Sequence, residues 1–157
     1  MKKRIPCIIT LILSIIFILL VQACATSSNV VSDTADLSRY NYATISNVMG
    51  YGGASTLMDM EVKIYNAFAN TRLQMIGDRE TENVSNDIKA SLLLVRFSAT
   101  TSNGANTVSI NFVDYLTGRP VASVSGLPVS MLVAGDTINT AIDRAIAEAI
   151  KLFPYGM

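Results

Sequence analysis

The chain has 157 residues, with twelve acidic and twelve basic side chains, two cysteines and no histidine. Without histidine, Ser-His-Asp and Cys-His catalytic pairings are excluded, and the commonest ligand of zinc is missing. The function classes that remain are binding, scaffolding and carboxylate chemistry.

The first 24 residues have the organisation of a secretory signal. Three basic residues at positions 2–4 precede an apolar run from Ile5 to Val21, which is the order of a signal peptide. The four residues Val21-Gln22-Ala23-Cys24 that close the run resemble a bacterial lipobox. That resemblance implies cleavage after Ala23 and lipid modification of Cys24, which becomes the mature amino terminus and anchors the protein to a membrane.

An uncleaved membrane helix and an ordinary cleaved signal stay open as alternatives for this segment. The run of 17 residues from Ile5 to Val21 is at the lower limit for a membrane span, which needs about 20. Residue 25 is Ala, not the Asp that retains some lipoproteins at the inner membrane. By the same resemblance, we expect the protein on the periplasm-facing side of the outer membrane.

Removal of residues 1–23 changes the charge and the thiol content of the chain. The remaining 134 residues have nine basic and twelve acidic side chains, a formal net charge of −3. This charge argues against nucleic acid as a partner, because phosphate binding requires a basic surface. Cys7 leaves with the signal and Cys24 would be acylated, so we predict no disulfide, no metal and no cofactor.

Composition and periodicity divide the mature chain into a tether and one domain. Residues 24–38 are small and polar and predict a flexible tether. Within it, Asp33-Thr34-Ala35 resembles a short acceptor motif for O-glycosylation, with a plain linker as the alternative. Residues 39–157 are long enough for one domain with a modest core.

The pattern over residues 39–157 predicts an α+β domain. Alternation predicts a strand at 42–48, and apolar spacings of three and four predict a helix from Thr56 to about Arg72. A short strand at 73–76 and a polar segment at 78–90 follow. Three strands are then predicted at 91–101, 107–116 and 121–127, with an Asn-Gly hairpin turn at 103–104, and a closing helix that Asp136 caps. This β-α-β-β-β-β-α order predicts a single mixed sheet of about five strands with both helices on one face, because neither apolar stripe is buried otherwise.

Asp114 is the candidate site residue, because it lies on a predicted strand beside buried positions. The motif Asp114-x-x-Thr117-Gly118 is typical of a carboxylate that accepts hydrogen bonds from the turn after it. This pattern favours a turn-stapling role, and a ligand contact stays open. No catalytic residue is predicted.

Two other features receive structural interpretations. The tyrosines at 40, 42, 51 and 155 are predicted either as an exposed contact patch or as a half-buried sheet edge. Gly50-x-Gly52 is interpreted as a permissive turn and not as a dinucleotide site.

From Tyr40 onward the chain resembles small lipoprotein domains of the bacterial envelope. The resemblance rests on the strand at 42–48, the Leu-x-x-Ile-Gly segment at 73–77, the phrase Val113–Arg119 and the Ala/Ile-rich closing helix. Similar orders occur in the amino-terminal domain of TolB, in the curli-secretion lipoprotein and in uncharacterised lipoprotein families. The resemblance implies a non-catalytic protein-interaction or assembly module with an envelope protein as partner. A binding module for a small ligand, a glycan or a peptidoglycan fragment is the alternative, and the oligomeric state stays open.

Overall fold

A single mixed β-sheet forms the centre of the structure, which is a computed structural model that describes residues 27–46, 55–102, 105–127 and 138–155. Its six strands follow the order β1-β6-β5-β4-β2-β3 across the sheet. β2 is parallel to β3 and β4, and the pairs β4–β5, β5–β6 and β1–β6 are antiparallel. The strands are β1 (Ser27–Val31), β2 (Tyr42–Ile45), β3 (Gln74–Met75), β4 (Leu92–Ser102), β5 (Ala105–Asp114) and β6 (Pro120–Gly126).

Two long helices, α1 (Ser55–Phe68) and α3 (Ile138–Leu152), pack on one face of this sheet, and a short helix α2 (Asn86–Ala90) precedes β4. α3 covers β5 and β6, and Lys63 of α1 forms an ion pair with Asp143 of α3 at 3.0 Å. The prediction of an α+β fold with one mixed sheet is confirmed. None of the helices in the described ranges combines the length and the hydropathy of a membrane-spanning helix.

The core lies between the sheet and the two long helices. The ring of Phe112 on β5 contacts Phe68 of α1 and Phe153 after α3, with centroid distances of 5.7 and 5.1 Å. α3 approaches β6 closely because Gly126 has no side chain: a Cβ there would lie 1.9 Å from the carbonyl oxygen of Ala141. The fully buried side chains that fill this layer include Met60, Ile64, Leu93, Val95, Val108, Ile110, Val124, Ile142 and Ala145.

The sixth strand, β1, comes from a segment that was predicted to be flexible. Ser27 pairs with Gly126 and Val31 pairs with Ala122, and the amide of Ser32 donates to the carbonyl of Val121 at 2.9 Å. The tether prediction for residues 24–38 is therefore wrong for these five residues. Without β1, the backbone groups at the outer edge of β6 would have no partner strand. Hydrogen bonds to this edge order residues 27–31, whose own sequence has little strand signal.

The strand directions give the sheet two distinct ends. The Ser27 end consists of the start of β1, the β4–β5 hairpin, the end of β6 and the first turns of α1 and α3. The Asp114 end consists of the end of β5, the turn at 115–119 and the last turns of α1 and α3, where the amide of Arg72 donates to the carbonyl of Phe153. The predicted signal, Cys24, the glycine turn at 50–52, the Asn-Gly turn and the Asp136 cap lie outside the described residues.

Candidate functional site

Asp114 lies at the last position of β5 and accepts four hydrogen bonds. Its Oδ1 atom accepts from the amide and the hydroxyl of Thr117 at 2.8 and 2.9 Å. Its Oδ2 atom accepts from the hydroxyl of Tyr40 at 2.9 Å and from the guanidinium of Arg39 at 2.8 Å. The two hydrogen bonds from Thr117 are typical of a carboxylate that staples the turn after it. The two hydrogen bonds from Arg39 and Tyr40 connect the same carboxylate to a distant part of the chain.

The turn after Asp114 is closed by its backbone as well. The amide of Gly118 donates to the carbonyl of Asp114 at 2.9 Å, and the amide of Asp114 donates to the carbonyl of Arg119 at 2.9 Å. Gly118 has a φ of 68°, a left-handed conformation that glycine adopts without steric cost. The carboxylate and the glycine therefore fix the same tight turn between β5 and β6.

The segment before β2 brings Arg39 and Tyr40 to this carboxylate. Asp36 starts a 3-10 turn at Leu37–Arg39 because its Oδ1 atom accepts from the amide and hydroxyl of Ser38 at 2.9 and 2.6 Å. The guanidinium of Arg72 donates to the carbonyls of Leu37 and Tyr40. The turn is thereby held against the end of the sheet.

The four hydrogen bonds determine the ionisation of this cluster. Burial alone would raise the pKa of Asp114, but the amide and hydroxyl of Thr117, the hydroxyl of Tyr40 and the charge of Arg39 outweigh it and lower that pKa. Burial, and then the hydrogen bond to Asp114, raise the pKa of Tyr40 to about 12. At neutral pH the pair is therefore a carboxylate and a neutral phenol.

Tyr40 is not the exposed aromatic that one of the two sequence interpretations required. Only 3% of its surface is accessible, because its ring packs in the core and its hydroxyl is bonded to Asp114. Tyr155 is 77% exposed, Tyr42 is half-buried, and Tyr51 lies outside the described residues. The described tyrosines therefore do not form one exposed patch.

The carboxylate of Asp114 is engaged by groups of the protein itself. Both carboxylate oxygens are occupied by donors, and only 7% of the side chain is exposed. Within the described ranges, no three residues of the types Asp, Glu, Cys and His come together as a metal site would require. General acid or base work requires a group that can reach a substrate proton, and Asp114 is enclosed by its own donors.

A shallow depression of about 340 Å³ lies at the β3 side of the Asp114 end. It is lined by Thr71, Arg72, Gln74 and Tyr155, among others. The hydroxyl of Thr71 already donates to the carbonyl of Phe68 at 2.7 Å and accepts from the amide of Leu73 at 3.2 Å. Arg72 is occupied by two carbonyls. Thr71 and Arg72 are therefore engaged within the protein.

In the part of the chain that the structure describes, β1 pairs on one side only and presents a free backbone edge. β1 is the terminal strand in the sheet order, its side chains at 28–30 are exposed, and its sequence Ser-Ser-Asn-Val-Val has neither charge nor proline. Natural edge strands commonly carry lysine, proline or a bulge, which prevent pairing with another chain. β1 has none of these protections and pairs with β6 in regular register throughout.

A second exposed surface lies on α1. Met58, Val62 and Tyr65 are 57%, 59% and 46% exposed and are spaced so that they share one side of the helix. This stripe is separate from the core side chains Met60 and Ile64 of the same helix.

Where β5 and β6 face away from the two long helices, the sheet carries polar side chains. The side chains there alternate with the buried residues of β5 and β6. The hydroxyls of Ser109 and Ser125 are 3.0 Å apart, and the hydroxyl of Ser123 donates to Asn111 Oδ1 at 2.8 Å. These side chains therefore satisfy one another in pairs.

The chain matches no protein-family model and no curated protein sequence. It is similar to two solved structures of the PelC dodecamer from Paraburkholderia phytofirmans. The first, a variant, is 14% identical with a TM-score of 0.45, and the second is 13% identical with a TM-score of 0.42. Each similarity covers 83% of this chain and 99% of the PelC chain. The resemblance to TolB and to the other lipoprotein domains stays a prediction.

Proposed function

We propose that the mature chain is a lipid-anchored protein of the outer membrane that faces the periplasm and binds another envelope protein without catalysing a reaction. The observation that carries the proposal is the unprotected edge of β1. A partner that presents an extended strand would continue the sheet there, and main-chain hydrogen bonds would supply the affinity.

The register of β1 shows which backbone groups are free for such a partner. In an antiparallel pair, alternate residues direct their amide and carbonyl groups toward the neighbouring strand. Ser32 donates its amide to Val121 of β6, so Val30 and Ser28 also direct theirs toward β6. Asn29 and Val31 therefore direct their amides and carbonyls outward, away from the sheet.

The lipid anchor rests on the sequence of residues 1–24 and on the lipobox resemblance. It places the domain among other membrane-bound proteins, where a partner in the same envelope meets it repeatedly. The apolar stripe on α1 is a second candidate contact surface. It is separate from the edge of β1, because α1 lies toward β3 and β1 is at the opposite edge of the sheet. Thr71 and Arg72 in the depression, and Asp114, are engaged within the protein, which does not favour the alternative of a ligand-binding module.

Photo-crosslinking in native membranes tests the proposal. A photoreactive amino acid replaces Val30, which is 67% exposed beside the free edge, or Leu116, which is 57% exposed at the other end. We expect an adduct with one envelope protein, identified by mass spectrometry, from position 30 and not from position 116.

Substitution of Asn29 then tests the role of the backbone edge. Asn29→Pro removes an outward amide and leaves the ladder to β6 intact, so the adduct from position 30 should disappear while the domain stays folded. Asn29→Thr keeps the amide and should keep the adduct. An adduct that survives Asn29→Pro, or equal crosslinking from positions 30 and 116, would contradict strand pairing at β1.

A further inference from the structure

The two edges of the described sheet differ in length. β1 pairs with β6 along all five of its residues, whereas β3, the terminal strand at the other edge, consists of Gln74 and Met75. A very short edge strand is one of the features that prevent pairing with another chain. The sheet is therefore protected at β3 and open at β1.

We propose that the strand that pairs with β1 is β1 of a second copy of this chain, so that two copies form a dimer with one continuous sheet. The inference rests on the proposed function, because it names the partner of the same edge. Among the pairings that the two described edges allow between copies, β1 with β1 is the longest, since β3 supplies only two residues. An antiparallel β1–β1 pair uses the same surface of both copies, so the assembly closes as a twofold dimer.

The backbone of β1 matches its own copy when the two strands run antiparallel about Asn29. Ser27, Asn29 and Val31 alternate with the residues that bond to β6, so their amides and carbonyls are directed outward. In this register Asn29 lies opposite Asn29 of the second copy, and Ser27 lies opposite Val31. Each of these pairs exchanges two hydrogen bonds, so every outward backbone group of β1 receives a partner.

The side chains of β1 suit the same register. A charged residue at position 29 would face an identical charge, which destabilises a strand pair. The side-chain amide of Asn29 both donates and accepts, so two copies of it can bond to each other. Val30, which is 67% exposed, lies opposite Ser28 of the second copy in a non-hydrogen-bonded pair, where side chains approach more closely.

The charges of the described residues do not oppose this contact. On the side of the sheet away from the long helices, Val30 is in register with Ser123, Asn111 and Arg96 of the next three strands. Arg96 is the first charge in this row, about 14 Å from β1 at ~4.8 Å per strand, which exceeds the Debye length of about 8 Å.

On the helix side, the nearest charge to β1 is already paired. Glu148 accepts from the hydroxyl of Ser27 at 3.0 Å and forms an ion pair with Lys151 at 2.6 Å. The first charge after β1 is Asp33, four residues from the twofold axis at Asn29. The two Asp33 side chains of a dimer are therefore more than about 20 Å apart, at ~3.3 Å per residue.

The small size of the contact makes the membrane part of the pairing. Five residues on each side are far fewer than the roughly 20–30 on each side of a stable interface. Confinement of both copies to one bilayer raises their effective concentration. We therefore expect dimers of the acylated protein in membranes and monomers of the mature chain in dilute solution.

Disulfide trapping of the full acylated protein in native membranes tests the register. Acylation of Cys24 leaves an introduced cysteine as the single free thiol of the mature chain. Ser28→Cys and Val30→Cys are produced together, with tags of different size, and treated with a mild oxidant. The Cα atoms of a non-hydrogen-bonded pair are about 4.5 Å apart, within the range of about 4.4–6.8 Å that a disulfide requires, so we expect a mixed disulfide between the two variants.

Each variant alone is the matched control. In the proposed register two residues at position 30, or two at position 28, are diagonal neighbours with Cα atoms about 8 Å apart, beyond the limit of about 7 Å for a disulfide. Disulfides within one variant should therefore be several-fold weaker than the mixed one. Val30→Cys together with Leu116→Cys, a position that is 57% exposed at the Asp114 end, should give no mixed disulfide.

The outcome separates this inference from the proposed function. A mixed disulfide between positions 28 and 30 that is no stronger than the disulfides within each variant would overturn the self-pairing. If a photoreactive residue at position 30 then still formed an adduct with a different envelope protein, the proposed function would stand and only this inference would fall. The absence of any adduct from position 30 would contradict both.

Discussion

Replacement of Asp114 by Asn tests whether the buried carboxylate holds the Asp114 end together. The two side chains have the same shape, so the substitution changes charge and hydrogen bonding without leaving a cavity. With its oxygen toward Thr117, the Asn keeps two hydrogen bonds as a neutral acceptor. Its amide group then faces Tyr40 and Arg39, which donate to the carboxylate in the native protein at 2.9 and 2.8 Å.

The expected loss of stability follows from these four hydrogen bonds. Hydrogen bonds to a charged group contribute roughly 1.5–3 kcal/mol and neutral ones roughly 1 kcal/mol. The bond from Arg39 is lost, but Arg39 is half exposed, so water compensates part of that loss. The phenol of Tyr40 must reverse its bond or leave its proton unpaired in a buried position. The sum is a destabilisation of about 2–3 kcal/mol.

Urea unfolding of the mature chain from Ala25 measures this change. With a slope of about 1.5 kcal/mol per M, the midpoint should fall by about 1–2 M. Asp143→Asn is the matched control, because Asp143 pairs with Lys63 on the surface and is 64% exposed; such pairs contribute about 0–1 kcal/mol. If Asp114→Asn and Asp143→Asn lowered the midpoint equally, the carboxylate would have no special role in the fold.

Three further predictions use other parts of the structure. The pKa of Tyr40 is raised from 10.0 to about 12. The neutral phenol therefore stabilises the fold fully below pH 10, and this stabilisation is lost as the pH rises from 10 to 12. Phenolate absorbance should show one late-titrating tyrosine, which Tyr40→Phe removes. Gly126→Ala places a methyl group against the α3 backbone and should lower the free energy of unfolding by about 3 kcal/mol or more in urea. The added methyl group of Gly118→Ala meets no atom within 4 Å. That substitution should therefore cost only about 1–2 kcal/mol, because residue 118 has a positive φ. Thr44 is fully buried, and its hydroxyl has no partner among the described residues, so Thr44→Val should leave the melting temperature unchanged or raise it.

The sequence was sufficient for the elements that have strong periodicity. The apolar stripes of α1 and α3 predicted both helices and their common face, because a helix with one apolar side must bury it. The motif from Asp114 to Gly118 predicted a carboxylate at the β5–β6 turn, since an Asp side chain bonds locally to the backbone that follows it.

The contacts of Asp114 with distant residues could not be predicted in this way. Arg39 and Tyr40 are more than 70 positions away from it in the chain, and neither residue has a local pattern that indicates a buried carboxylate partner. β1 was missed for a related reason. Its order depends on the backbone edge of β6, and a ladder with a distant strand leaves no mark in the composition of a five-residue segment.

The short distance between β1 and Cys24 links its free edge to the lipid anchor of the proposed function. Three residues separate Cys24 from Ser27, so in an acylated protein the edge stays close to the membrane that holds the anchor. A partner held in the same membrane then meets Asn29 and Val31 with most of its translational freedom already restricted, which raises its effective concentration. A soluble periplasmic protein lacks this advantage, so anchored partners should pair with β1 more readily than soluble versions of the same strand. A flexible Gly/Ser insertion between Ala25 and Thr26 lengthens the connection to the anchor, so it should reduce crosslinking from position 30 without any change in the edge itself. Undiminished crosslinking would show that the edge acts independently of the membrane.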